Sequence, residues 1–232
     1  MVIRETKSMD TKTREQLASA YLLAKESVIR RGFSDEIDWQ YDRDIREVNV
    51  PSFLAEYAWV VLCCGMRERT VRSVFGGIVT AFQQWRLDAI LAESVERCMN
   101  NALKTFANPA KIGAIGEVAS ALANGAIVVE DIVFGDAPLR ELQQLPFVGP
   151  VTVYHLAKNL GLNVCKPDRH LVRLARAFEF ATVDELCNAI ASSLDEKLSV
   201  VDIVLWRYLS ITGDYSLGLT VPMADFTRFE ES

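Results

Sequence analysis

Apolar residues recur at helical spacing along most of the chain, and runs with the two-residue alternation of strands are scarce. The pattern predicts an all-α fold. Residues 11–31 read as an amphipathic helix that Gly32 ends, and an irregular charged segment follows to Val50. Pro51 and Ser52 open an apolar helix, FLAEYAWVVLCC, whose unbroken apolar character implies burial on most sides. Gly65 interrupts it, and RERTVRSVFGGIVTAFQQW forms the next helix or helix pair. LDAILAESVERCMN and, after Asn108 and Pro109, AKIGAIGEVASALANG supply two more. The stretch IVVEDIV is the one candidate strand, and it reads equally as a helical turn. Farther on, TVDELCNAI opens with Thr182 and Glu185 in capping-box spacing, and SVVDIVLWRYLS opens likewise with Ser199 and Asp202.

A chain of 232 residues, half of them hydrophobic, is long enough for one large core or two small lobes. It contains no run of eighteen apolar residues, and its first residues (MVIRETKSMDTKTREQ) are charged where a signal peptide would be apolar, so a cytoplasmic protein without a membrane partner is expected. The five cysteines are an odd number without metal-ligand spacing, which favours reduced, mostly buried thiols and no metal site. The net charge of −6 excludes nucleic-acid binding through bulk attraction, but the cations are clustered. Lys158, Lys166, Arg169, Arg173 and Arg176 surround the single acid Asp168, and Arg67, Arg69 and Arg72 oppose only Glu68. Either these form a basic face on an acidic body or they are ordinary solvated helix positions.

The most informative stretch runs from Leu142 to Leu174. A tight turn, Leu145, Pro146, Phe147, Val148 and Gly149, precedes the helical run TVYHLAKNL. Such a turn points backbone N–H groups and the positive end of a helix dipole at an anion such as phosphate. Asp168 follows Pro167, which restricts Lys166 to an extended geometry, and it precedes RHLVRLARAF, a helix whose amino end favours an acid. Asp168 is therefore either a helix cap or an acid placed for chemistry.

Taken together, Leu145, Pro146, Val148, Gly149 and Thr152, followed by Asp168, His170 and Arg173, resemble the LPGVGxxTA hairpin and the VDTHxxR motif of the helix-hairpin-helix (HhH-GPD) superfamily of DNA glycosylases. The resemblance is to members acting on 8-oxoguanine or alkylated bases. It implies two helical lobes with the hairpin and Asp168 facing the cleft: a bundle over residues 45–158, and a second lobe from residues 1–44 with 159–232. It also implies a monomer acting on double-stranded DNA with a damaged or modified base. Asp168 would stabilise the positive charge that develops on the deoxyribose as the N-glycosidic bond breaks, and would orient or deprotonate the attacking water. Bifunctional relatives carry a nucleophilic lysine two positions after the hairpin's last glycine. This chain has Val151, so a monofunctional enzyme is expected, with Lys158 or Lys166 as the only nearby stray amines.

Further roles follow from the same resemblance. Val151, His155 and Asn159 lie one helical turn apart, on a face that lines the base pocket in relatives. Asp202 and Trp206 match a polar residue and an aromatic that contact the flipped base, or else they are a capping residue and a core tryptophan. Met66, in the Gly65–Arg67 break, is the candidate wedge that fills the gap left by the base, or else it rests on the core. Arg67 and, more weakly, Lys111 are candidates for phosphate contact.

Two departures stand out: Phe147 replaces the first hairpin glycine, and only Cys187 follows Asp168, which excludes the four-cysteine iron–sulfur loop of some relatives. No cofactor is implied beyond a monovalent ion held by hairpin carbonyls. Two further readings stay open: excision of hypermodified phage bases in host defence, and a noncatalytic DNA-binding hairpin module.

Overall fold

The computed structural model describes residues 11–219, and among them all regular secondary structure is helical, with no strand. Residues 1–10 and 220–232, the first ten of the charged opening segment among them, lie outside the described residues. In chain order the helices are α1 Thr11–Arg30, α2 Ser34–Asp42, α3 Val50–Cys63, α4 Glu68–Ala81, α5 Leu87–Glu93, α6 Val95–Thr105 and α7 Pro109–Ala123. They continue with α8 Val129–Phe134, α9 Pro138–Leu142, α10 Thr152–Asn159, α11 Arg169–Ala177, α12 Val183–Leu194 and α13 Leu198–Thr212. No helix among the described residues is long and apolar enough to cross a membrane.

The chain divides into two compact units. A middle unit holds Arg43–Leu162, and an end unit joins the chain up to Asp42 with the chain from Asn163 onward. In the middle unit α3 packs on α4, α7 and α10, and its Phe53, Leu54, Tyr57, Val60 and Val61 are fully enclosed. Each large apolar side chain so buried contributes about 1.5–3 kcal/mol. The helix starts where Pro51 predicts. Asn49 Oδ1 accepts from the Ser52 N–H at 3.0 Å, and Ser52 Oγ accepts from the Asn49 N–H at 2.9 Å.

In the end unit α1 lies against α12 and α13, and Leu17, Tyr21 and Val28 meet the core that includes Leu186, Ile190, Val201, Val204 and Leu205. Gly32, at φ +85°, ends α1 by adopting the left-handed backbone that other residues resist. A polar lock ties the two segments of this unit together. Glu196 accepts from Lys25 Nζ at 2.5 Å, from the Tyr41 hydroxyl, and from the Lys197 N–H at 3.2 Å.

Three sequence expectations need correction or resolution. LDAILAESVERCMN is two helices, because Ser94 takes φ +79° and its Oγ caps α6 through the Arg97 N–H at 3.3 Å. IVVEDIV resolves to the helical reading, as α8. The Ser199–Asp202 capping box does not form. The helix begins at Leu198, two residues before the start a Ser199 cap would set, the Ser199 N–H donates to Asn163 Oδ1 at 3.2 Å, and Asp202 bonds elsewhere. Thr182 does cap α12, accepting from the Glu185 N–H at 3.1 Å, while Glu185 reaches the Ala181 N–H at 3.0 Å.

Candidate nucleic-acid interface and acid site

Between α9 and α10 the chain makes the turn that the sequence singles out. Leu145 and Val148 are buried and fasten it to the middle unit's core, and the Val148 N–H closes it onto Leu145 O at 3.1 Å. Phe147, between them, has φ +63°. A left-handed backbone at a residue with a side chain costs about 1–2 kcal/mol, so the surroundings must hold it there. Two side chains from α3 and its end do so. The Tyr57 hydroxyl donates to Pro146 O at 3.0 Å, and Cys64 Sγ approaches Phe147 O at 3.6 Å. The Phe147 side chain is left 41% exposed and Val151 44% exposed. A methyl group at Gly149 would meet nothing within 4 Å, so internal packing does not demand glycine there.

The break between α3 and α4 lies beside this turn, joined to it by the Cys64–Phe147 contact. Gly65 is left-handed at φ +66°, Met66 is half-buried, and Arg67 is exposed at the amino end of α4. Arg69 and Arg72 are also exposed. Arg72 pairs with Glu68 at 2.5 Å and lies 5.4 Å from the Trp59 ring centre. Lys111 is not a phosphate contact. It is buried, and its Nζ donates to Leu62 O at 2.7 Å and Cys64 O at 2.6 Å, satisfying carbonyls at the end of α3. Burial also pushes the Cys63 thiol up to about 11, and all five cysteines are free.

Along α10 the face expected to line a base pocket descends into the protein. Thr152 and His155 are half-buried, and Asn159 is buried with its Nδ2 donating to Glu56 Oε2 at 2.9 Å. Asn159 thus serves Glu56, a residue the sequence reading passed over. Burial raises the Glu56 carboxyl above its ordinary range, against the pull of Asn159 and of Arg43, 3.8 Å away. A lone acid inside the apolar run FLAEYAWVV was the signal, because a buried charge demands partners. Lys158 is buried as well, which removes it from the basic surface and from the exposed amines.

In the end unit, Asp168 occupies the cap of α11. Its Oδ1 accepts from the His170 N–H at 2.9 Å and the Leu171 N–H at 3.0 Å. Among the described residues no hydrogen bond reaches Oδ2, and the side chain is half-buried. The segment leading to it is pinned from α13. Asp202, only 2% exposed, accepts from the Lys166 N–H at 2.6 Å. This places Asp202 on the backbone of the acid's own segment, in the core, and not as an acceptor lining an open pocket.

His170 Nδ1 is 2.8 Å from the Tyr215 hydroxyl, and the two rings lie nearly parallel. Burial lowers the His170 pKa, Asp168 raises it, and Arg169 and Arg173 lower it further, so the net direction favours the neutral ring. Arg169, Arg173 and Arg176 are exposed on α11. Trp206, half-buried on α13, carries the Arg207 guanidinium 4.7 Å from its ring centre, and Arg207 pairs with Glu36.

The end unit therefore gathers Asp168, His170 and Asp202, and the middle unit gathers the Phe147–Gly149 turn with the Gly65–Arg67 break. A groove of about 610 Å³ in the middle unit is bordered by Glu117, Asp131, Asp136 and Glu141 with Arg140. That sign is wrong for a phosphate backbone. Comparison with protein-family models, with curated proteins and with solved structures found no match.

Proposed function

We propose that this protein is a monofunctional DNA N-glycosylase, a cytoplasmic monomer that flips a damaged or modified base out of duplex DNA and hydrolyses its glycosidic bond. In this reading the middle unit grips the backbone through the Phe147–Gly149 turn, Thr152 and Arg67, and the end unit supplies the acid, with Arg173 as a further phosphate contact. Asp168 stabilises the oxocarbenium-like sugar and takes a proton from the attacking water, which adds to C1′ as the base leaves. The supporting observation is the division of labour within one carboxylate. Oδ1 is fixed by two backbone amides while, among the described residues, no hydrogen bond reaches Oδ2, and Asp202 holds the preceding segment in place. Val151, which has no nucleophile, supports hydrolysis without a covalent enzyme–sugar intermediate.

The test is a panel of duplexes bearing oxidised, alkylated and phage-type hypermodified bases, treated with alkali to reveal abasic sites. Asp168→Asn should lower base release by about a hundred- to a thousandfold, the scale of losing a key charge-stabilising group, while salt-sensitive duplex binding survives. Unchanged release in that variant would remove the mechanism, and strand scission without alkali would overturn the role given to Val151. A second reading, a noncatalytic hairpin module, is favoured by the plain capping geometry of Asp168. It predicts wild-type binding with no release from any duplex in the panel.

A further inference from the structure

We infer that Phe147, rather than Met66, is the side chain that enters the base stack when a base is extruded. This inference rests on the DNA-glycosylase reading. Phe147 holds a backbone that glycine would adopt without strain, at φ +63°, and does so in a turn fastened on both sides by buried Leu145 and Val148. A strained conformation persists only where its surroundings over-determine it, and the Tyr57–Pro146 and Cys64–Phe147 contacts are that constraint. What the strain preserves is a large aromatic side chain, 41% exposed, on a rigid support.

Met66 lies in the neighbouring break but is half-buried on a flexible stem, so it presents less apolar surface and presents it less firmly. The surface around Phe147 suits one occupant. Cys64 joins the turn to the break that carries exposed Arg67, which would meet phosphate as the ring meets bases. An aromatic ring replaces the stacking lost at an opened step and tolerates any neighbouring base, as a wedge requires.

The experiment places 2-aminopurine opposite a tetrahydrofuran abasic-site analogue in a duplex, so that no chemistry is needed. Saturating wild-type protein should raise the fluorescence about threefold or more as the probe is displaced from the stack. Phe147→Ala and Phe147→Gly should each remove at least about half of that rise at saturation, and Met66→Ala should remove less. The stability readout separates backbone from ring: the Gly variant should melt about 2–4 °C above the Ala variant, because only glycine relieves the strain. Absence of any wild-type response would sink the DNA-enzyme reading itself. A full wild-type response retained by Phe147→Gly would sink the wedge alone, and an Ala variant melting at or above the Gly variant would overturn the strain argument on which it rests.

Discussion

The turn at Phe147 in the middle unit and the segment at Asp168 in the end unit reach their shapes by opposite routes. At Phe147 the backbone is in a region that side chains resist, and groups distant in sequence, Tyr57 and Cys64, grip its carbonyls. At Asp168 the backbone is extended, at φ −82° and ψ 173°, and the side chain satisfies its own helix end. The first is strained and exposed, and the second is relaxed and locally satisfied. The difference teaches where to look for function in each. Strain that the surroundings hold in place beneath an exposed side chain points outward, to a ligand, whereas a relaxed cap reveals its purpose only through what else holds it in place. For Asp168 that holder is Asp202.

The largest effect expected within this contrast is therefore at Asp202. Asp202→Ala leaves the part-buried Lys166 N–H without its carboxylate acceptor and should cost about 1–3 kcal/mol of stability, with a fall in base release beyond what the lost fraction of folded protein explains. Asp202→Asn keeps an acceptor and should restore most of both. Thermal melting with single-turnover release would check the pair, and a silent Asp202→Ala would show that the Asp168 segment needs no such anchor. Next in size is Tyr57→Phe, which removes one hydroxyl bond to Pro146 O and should cost about 1 kcal/mol. Faster amide exchange at Val148 should accompany it, because the turn loses a constraint, and unchanged exchange would mean that Cys64 and packing suffice.

The helices were legible because their apolar spacing is regular, and α3 in particular announces its burial through an almost continuous apolar run. What escaped the sequence reading was set by partners far along the chain. Ser199 and Asp202 have the spacing of a capping box, yet Asn163 serves the helix end and Asp202 serves Lys166, each thirty-six residues away. Lys111 and Lys158 read as surface cations by residue type. Lys111 is drawn inside because α3 ends with carbonyls in need of donors. The break at Ser94 carries no glycine to betray its positive φ. The candidate site was legible as motif, in the hairpin residues and Asp168, but its base-pocket residues were not. Helical spacing fixes which residues share a face, and it does not say how deeply that face sinks, as Asn159 shows.

The finest contrast between the two units lies in how each responds to acid. Burial pushes the Glu196 carboxyl up, but hydrogen bonds from Lys25 and Tyr41 outweigh it and hold the group below its usual 4.5. Stability from Glu196 is therefore present above the unfolded value and is lost as pH falls through the lowered one. Glu56 goes the other way. Its carboxyl is raised by burial, so the folded middle unit prefers the protonated form, and stability is lost as pH rises from the unfolded value through the raised one. Glu56→Gln should thus raise the melting temperature at pH 7 and have a shrinking effect toward pH 4. Glu196→Gln should lower it at pH 7, with the deficit closing as the wild-type group protonates. Melting curves of both variants from pH 7 down to below the usual carboxylate range decide the matter. Shifts of the same sign at pH 7 would mean that the partners of Glu56, Asn159 and Arg43, compensate its burial as fully as Lys25 and Tyr41 compensate that of Glu196.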